Sequence, residues 1–235
     1  LETTKVIHTD NPFLNHITVW KRYIDEILVI WESNEETSIE FMSWLNSSDN
    51  NLKFTYTTSR QELIFLDVKI FHEDGHLITD TYHKSTDTNS LLKFDSFHPC
   101  TLKENLPSGQ FLWLQRICSN FEDFKKQAND LTIKLKVRNY PSRILDIAFK
   151  RARNNHREAL LEERVSTQAD SRLVCVTTYS SMSNRVMKLI NKNWSILNSN
   201  HLAFSKPIFA HKRSRNIKDM VVHTHPTPVT IPTPN

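Results

Sequence analysis

Between Ile17 and Trp31 the chain has room for one kind of structure only. Ile17-Thr18-Val19-Trp20-Lys21-Arg22-Tyr23 alternates in the way a half-buried strand does. Ile27-Leu28-Val29-Ile30-Trp31 is a short continuous apolar run, the pattern of a buried strand. Two apolar strands this close require a tight hairpin, with Asp25 and Glu26 at its tip. Ser33 and Glu36 then form a capping box that opens a helix to about Leu45, with Ile39, Met42 and Leu45 facing the core. Leu52 to Thr58 alternates as a strand, and Ile64 to Phe71 reads as another. Asp74-Gly75 is a hairpin turn, and Leu77 to Tyr82 makes a further strand. The order β-β-α-β-β-β describes an α+β module.

After Pro99 the pattern becomes helical. Pro107 to Ile117 reads as a short helix. Ser119-Asn120-Phe121-Glu122 is a second capping box, starting a helix through about Lys136. Arg138-Asn139-Tyr140-Pro141 is a turn, and Ser142 onward reads as one long helix to Arg164. Three helices joined this way form a helix-turn-helix-like arrangement. Val165 to Ser171 has the composition of a linker. Val174 to Tyr179 reads as a strand and Met182 to Asn193 as a helix. Thr224 to Asn235, with Pro at 226, 228, 232 and 234, reads as an extended, disordered tail.

Charge is distributed unevenly. Residues 1–102 hold 8 Lys/Arg against 16 Asp/Glu, residues 103–164 hold 13 against 8, and residues 165–235 hold 9 against 2. An acidic first half and a basic second half suit a metal-using site joined to a polyanion-binding surface. No apolar run reaches the roughly 18 residues of a membrane span. No basic-then-apolar leader is visible, so an intracellular, non-secreted protein is expected, with the nucleus a compartment that a nucleic-acid partner would allow. Cys100, Cys118 and Cys175 are odd in number and widely spaced, which argues against a disulfide framework and against zinc. The histidines lack metal-ligand spacing, and His223 and His225 fall in the Pro/Thr tail.

Asp25 is the sharpest candidate for chemistry. Phosphoryl transfer to a growing strand uses two divalent ions clamped by carboxylates. A hairpin between buried strands holds a carboxylate rigidly while its tip stays open. A lone Tyr-x-Asp carries little weight without the motifs around it. Trp20-Lys21-Arg22-Tyr23-Ile24-Asp25-Glu26-Ile27 resembles the catalytic hairpin of the reverse transcriptases of Penelope-like retroelements. Trp31, Asn51 to Thr55 and Phe65 to Val68 resemble later palm motifs of that family. Tyr82 to Asp87 and Ser96 to Pro99 resemble the lead into its thumb. Pro107 to Gln110, Arg116 to Ser119, Thr177 to Tyr179, Asn193-Trp194 and Asn216 to Asp219 continue the likeness.

The resemblance implies a partial polymerase palm over 1–98 and a helical thumb or helix-turn-helix-like domain over 99–164. It implies a C-terminal α/β extension over 165–222, before the 223–235 tail. It implies an RNA-directed DNA polymerase fragment whose partner is an RNA or DNA template–primer duplex. Asp25 would be a catalytic metal ligand, binding Mg²⁺ once an upstream segment completes the site. Glu26 stands where the family has a second Asp, one methylene longer. The family's first catalytic Asp and its downstream GIY-YIG nuclease have no counterpart here, so no polymerisation is expected from the chain alone. Asp67 and Lys53 read as strand residues first and as site residues second.

The basic helices are the second constellation. Residues 134–157 contain Lys134, Lys136, Arg138, Arg143, Lys150, Arg151, Arg153 and Arg157 against Asp146 alone. Arg143, Lys150 and Arg157 are seven apart, with Arg153 between the last two. On one long helix this makes a cationic stripe opposite Ile144, Leu145, Ala148 and Ala152. Such a stripe binds phosphates in a salt-dependent way. The alternative to a polymerase fragment is therefore a non-catalytic nucleic-acid-binding protein of helix-turn-helix type.

Overall fold

The computed structural model describes residues 11–47, 52–88, 90–162, 173–197, 206–212 and 221. The fold is α+β, in two compact units. The first contains residues 1–96 and 101–162; the second contains 97–100 and 163–235. The linker expected at 165–171 and the tail at 223–235 lie outside the described residues.

In the first unit, β1 (Ile17–Tyr23) and β2 (Glu26–Trp31) form the expected antiparallel hairpin. Tyr23 pairs with Glu26, so Ile24 and Asp25 alone make the turn. Helix α1 (Glu35–Ser47) packs on the hairpin. Its cap is Asn34 rather than Ser33. The Asn34 Oδ1 accepts the Thr37 N–H at 3.0 Å, three residues on. Phe41 and Leu45 are its buried residues, with Met42 partly buried, while Ile39 is exposed. Phe41 sits among Phe13, Trp20, Trp31 and Trp44, and its ring stacks on Trp31 at 5.1 Å.

Residues 52–58 are not a strand. The Asn46 side chain takes the place of a strand partner for Phe54: Phe54 N–H donates to Asn46 Oδ1 at 2.7 Å, and Asn46 Nδ2 donates to the Phe54 carbonyl at 3.1 Å. The run from Ile64 to Phe71 is two strands, β3 (Glu62–Phe65) and β4 (Val68–Glu73), folded back at Leu66-Asp67. Asp67 is thus a turn residue. β5 (His76–Thr81) follows the Asp74-Gly75 turn, and the sheet order is β3-β4-β5.

The helical part follows. α2 (Cys100–Ile117) starts seven residues before its expected first residue, Pro107, which lies buried inside it. Proline has no N–H to donate there, and its buried ring fills volume instead. α3 (Phe121–Lys136) starts one residue later than expected, after Asn120 and not Ser119; α4 (Ser142–Arg153) starts where expected but ends eleven residues short of Arg164. Asn154-Asn155-His156 breaks the chain before a short α5 (Arg157–Leu161). Asparagine competes for backbone hydrogen bonds and is a weak helix former. In this break Asn155 Nδ2 bonds back to the Arg151 carbonyl at 2.6 Å.

In the second unit, β6 (Val174–Thr178) pairs with β7 (Ile208–Lys212), a strand not evident in the sequence. The pairing is parallel, which requires a crossover connection. Helices α6 (Ser183–Lys192) and α7 (Trp194–Leu197) lie in that connection.

Candidate nucleic-acid interface

The α2–α3–α4 bundle closes over one continuous core. Phe111 and Leu114 of α2, Phe124, Ala128, Leu131 and Leu135 of α3, and Leu145, Ala148 and Ala152 of α4 are buried together with Cys118 and Tyr140. Phe124 and Phe149 stack at 5.7 Å, and Phe111 meets Phe149 edge-on at 5.9 Å. The apolar residues recur at helical spacing on each helix, so one face of each is committed inward and the other is left to solvent.

The turn between α3 and α4 is built by sequence. Asn139 adopts a left-handed φ of 65°, a conformation asparagine tolerates. This lets Tyr140 N–H reach the Leu135 carbonyl and Asn139 N–H the Lys136 carbonyl, the two bonds of a Schellman closure. Pro141 then caps α4 with extended backbone. Residues 91–95 brace the turn: Phe94 N–H donates to the Arg138 carbonyl, Arg138 donates to the Leu91 carbonyl at 2.7 Å, and the Phe94 and Tyr140 rings meet at 5.2 Å. Burial pushes the Tyr140 hydroxyl pKa up, partly offset by the Arg138 charge.

With the scaffold fixed, the cations are placed. Arg143, Lys150, Arg151 and Arg153 are all exposed on α4. Arg143, Lys150 and Arg153 share the side opposite Leu145, Ala148 and Ala152, with Asp146 and the exposed Ile147 among them. Lys150, Arg151 and Arg153 fall in the last turn, where they also complement the helix dipole. Lys136 is exposed at the end of α3. Lys134 is half-buried and lines a small cleft with Gln127, Asp130 and His83.

Arg157 does not belong to this stripe. The break at Asn154–His156 turns it inward, where Nε donates to the Arg116 carbonyl at 3.1 Å and Nη2 to Thr79 Oγ1 at 3.2 Å. The same break opens a cleft of about 220 Å³ lined by Gln115, Asn120, Arg153, Asn155, His156 and Arg157, among others. Asn155 and His156 were not singled out from the sequence; the Asn-Asn pair was the available signal.

The helices are joined to β5 by a polar seam. Ser119 N–H donates to the Thr79 carbonyl and Thr79 N–H to Ser119 Oγ, so Ser119 serves β5 and not the cap of α3. Asp80 accepts from Gln127 Nε2 at 3.2 Å and from Cys118 Sγ at 3.4 Å. Burial, and then the Asp80 carboxylate beside it, push the Cys118 thiol pKa up to about 12.

Asp25 and Glu26 lie elsewhere, on the hairpin. Asp25 is exposed in the turn, beside Ile24 with its left-handed φ of 52°. Glu26 is half-buried, and its Oε2 accepts the Leu66 N–H at 3.1 Å, tying the β1–β2 hairpin to the β3–β4 turn. A two-ion clamp needs carboxylates converging on the metals. Among the described residues no three His, Cys, Asp or Glu side chains converge in that way. The donor set at Asp25 and Glu26 does not fit a complete Mg²⁺ site.

Among the described residues no helix is long and apolar enough to cross a membrane. A family model described as the animal helix-turn-helix domain matches residues 90–150, which span α2, α3 and most of α4. The chain is similar to that family over the segment whose turn and core have just been described. No curated protein and no solved structure matches the chain.

Proposed function

We propose that this chain binds nucleic acid through its helix-turn-helix region, with Arg143, Lys150, Arg151 and Arg153 of α4 and Lys134 and Lys136 of α3 contacting phosphates. One observation carries the reading: the helices similar to the animal helix-turn-helix domain are the ones that expose the α4 cations. These contacts are to phosphates, which position a duplex without specifying its sequence, and a helix-turn-helix does not by itself imply base readout. Binding should therefore fall steeply as salt rises from about 50 to 200 mM and vary little with sequence. Fluorescence anisotropy with labelled duplexes measures both. A flat salt series rejects the reading.

A finer reading rests on the motif order around Tyr23-Ile24-Asp25-Glu26. In it the region is the thumb of a Penelope-like reverse transcriptase fragment, gripping a template–primer duplex, and Asp25 is one palm ligand for Mg²⁺. Primer extension on an RNA template with Mg²⁺ tests it. The expected product is none; synthesis abolished by Asp25→Asn would overturn the inactivity and leave the family reading standing.

A further inference from the structure

From Ser171 to Lys218 the chain has nine Lys/Arg and no Asp or Glu. This stretch lies in the second unit, away in sequence from the helix-turn-helix region. Five of those cations are on described residues, Arg185, Lys188, Lys192, Lys206 and Lys212, and all five are exposed. Arg185, Lys188 and Lys192 fall at i, i+3 and i+7 of α6, so they share one face. The other face is inward: Ser183 is buried, and Met187, Ile190 and Asn191 are half-buried.

This arrangement works against the stability of the helix. Solvated helix faces usually interleave acids with bases to gain i,i+4 pairs, whereas like charges at that spacing repel. Lys188 and Lys192 are such a pair. Arg185 sits in the first turn, where the helix dipole disfavours a cation, and that turn has no acid. A polyanion laid along the face removes these repulsions. The three cations span about 10 Å along the axis, the rise of roughly three phosphates on one strand.

We propose that the α6 face of Arg185, Lys188 and Lys192 is a second nucleic-acid contact that follows the phosphates of one strand. It stands on observations separate from those at α4. A membrane surface is the less suitable partner. A helix lying in a lipid interface must insert the face opposite its cations. In α6 that face carries the buried Ser183 and the half-buried Met187, Ile190 and Asn191, and the exposed Val186 and Leu189 lie to its side.

The test uses the full chain. R185A/K188A/K192A is compared with wild type alone and in a K150A/R153A background. Ligands are labelled duplex DNA, duplex RNA and single-stranded RNA, each over a salt series, and vesicles containing phosphatidylserine. The expected result is a log–log salt slope reduced by about 2.7 on duplex DNA and about 2 on a single strand, in both backgrounds. R185K/K188R/K192R should retain the wild-type slope. If the triple variant melts early by circular dichroism, K188A alone should reduce the duplex slope by about 0.9. Unchanged slopes in both backgrounds overturn the proposal, as does loss of vesicle binding with nucleic-acid binding intact. A slope that responds only to the α4 changes leaves the α4 reading standing and removes this one.

Discussion

The helical half and the hairpin half of the first unit solve the problem of a core differently. The helices bury eleven residues in one cluster, with Phe111 and Leu135 fully enclosed. The hairpin half buries Phe41 and Leu45, ringed by aromatic side chains that stay partly exposed. The difference shows in what each half does with its charges. The helices are held by their own packing, so the α4 cations can all face solvent. The hairpins lean on polar ties, and Glu26, half of the candidate catalytic pair, is one of them. The helical half ties down Arg138 and Arg157 yet leaves the α4 cations to solvent, whereas the thin core of the hairpin half recruits Glu26 for structure.

The largest effects should separate the two cores. Phe111→Ala should cost about 3–5 kcal/mol in urea unfolding, since the cavity is fully enclosed. Phe41→Ala should cost less, because its half-exposed neighbours can close over the space. An equal or larger loss at Phe41 would break the contrast. Next is the seam that joins the halves. Asp80→Ala removes the acceptor for Gln127 and Cys118 and should cost about 1–3 kcal/mol, read by the same assay. Ile24→Gly should act in the opposite direction. A β-branched residue at a φ of 52° is strained, and glycine there should stabilise by about 1 kcal/mol in thermal unfolding. No gain would mean that the turn relaxes in solution.

The smallest effect is chemical. With its pKa raised to about 12, Cys118 stays a thiol at pH 8 and should resist alkylation in the folded chain while the exposed Cys100 reacts. In the unfolded chain the thiol ionises near pH 9, so the fold loses stability as pH rises from there towards 12. Rapid labelling of Cys118 at pH 8 would show that the seam is open.

The α+β class, the β1–β2 hairpin and the α3–turn–α4 unit were legible because apolar periodicity and turn residues agreed there. Pro141 and the Asn139-Tyr140 pair mark the turn in the sequence. Three features were not legible, each for a local reason. Asn46 satisfies Phe54 with a side chain, and no period reveals that. Leu66-Asp67 turns without glycine or proline, so β3 and β4 read as one strand. Pro107 looks like a helix start, yet here it is a buried helix interior. The site inherited these limits. Of the four cations expected on one helix face, Arg143, Lys150 and Arg153 share a side of α4, but Arg157 left the stripe because Asn154 and Asn155 ended the helix. The parallel partner of β6 could not be read locally, since parallel strands are joined through a distant crossover.

In the proposed function, nucleic-acid binding belongs to the helices and not to the hairpin carboxylates. Duplex affinity over a salt series, measured for wild type, K150A/R153A and D25N, addresses it most directly. K150A/R153A should weaken binding and lower the log–log slope by about 1.8, while D25N should match wild type in affinity and slope. Wild-type binding by K150A/R153A, or a Mg²⁺-dependent loss of duplex binding in D25N, would contradict it.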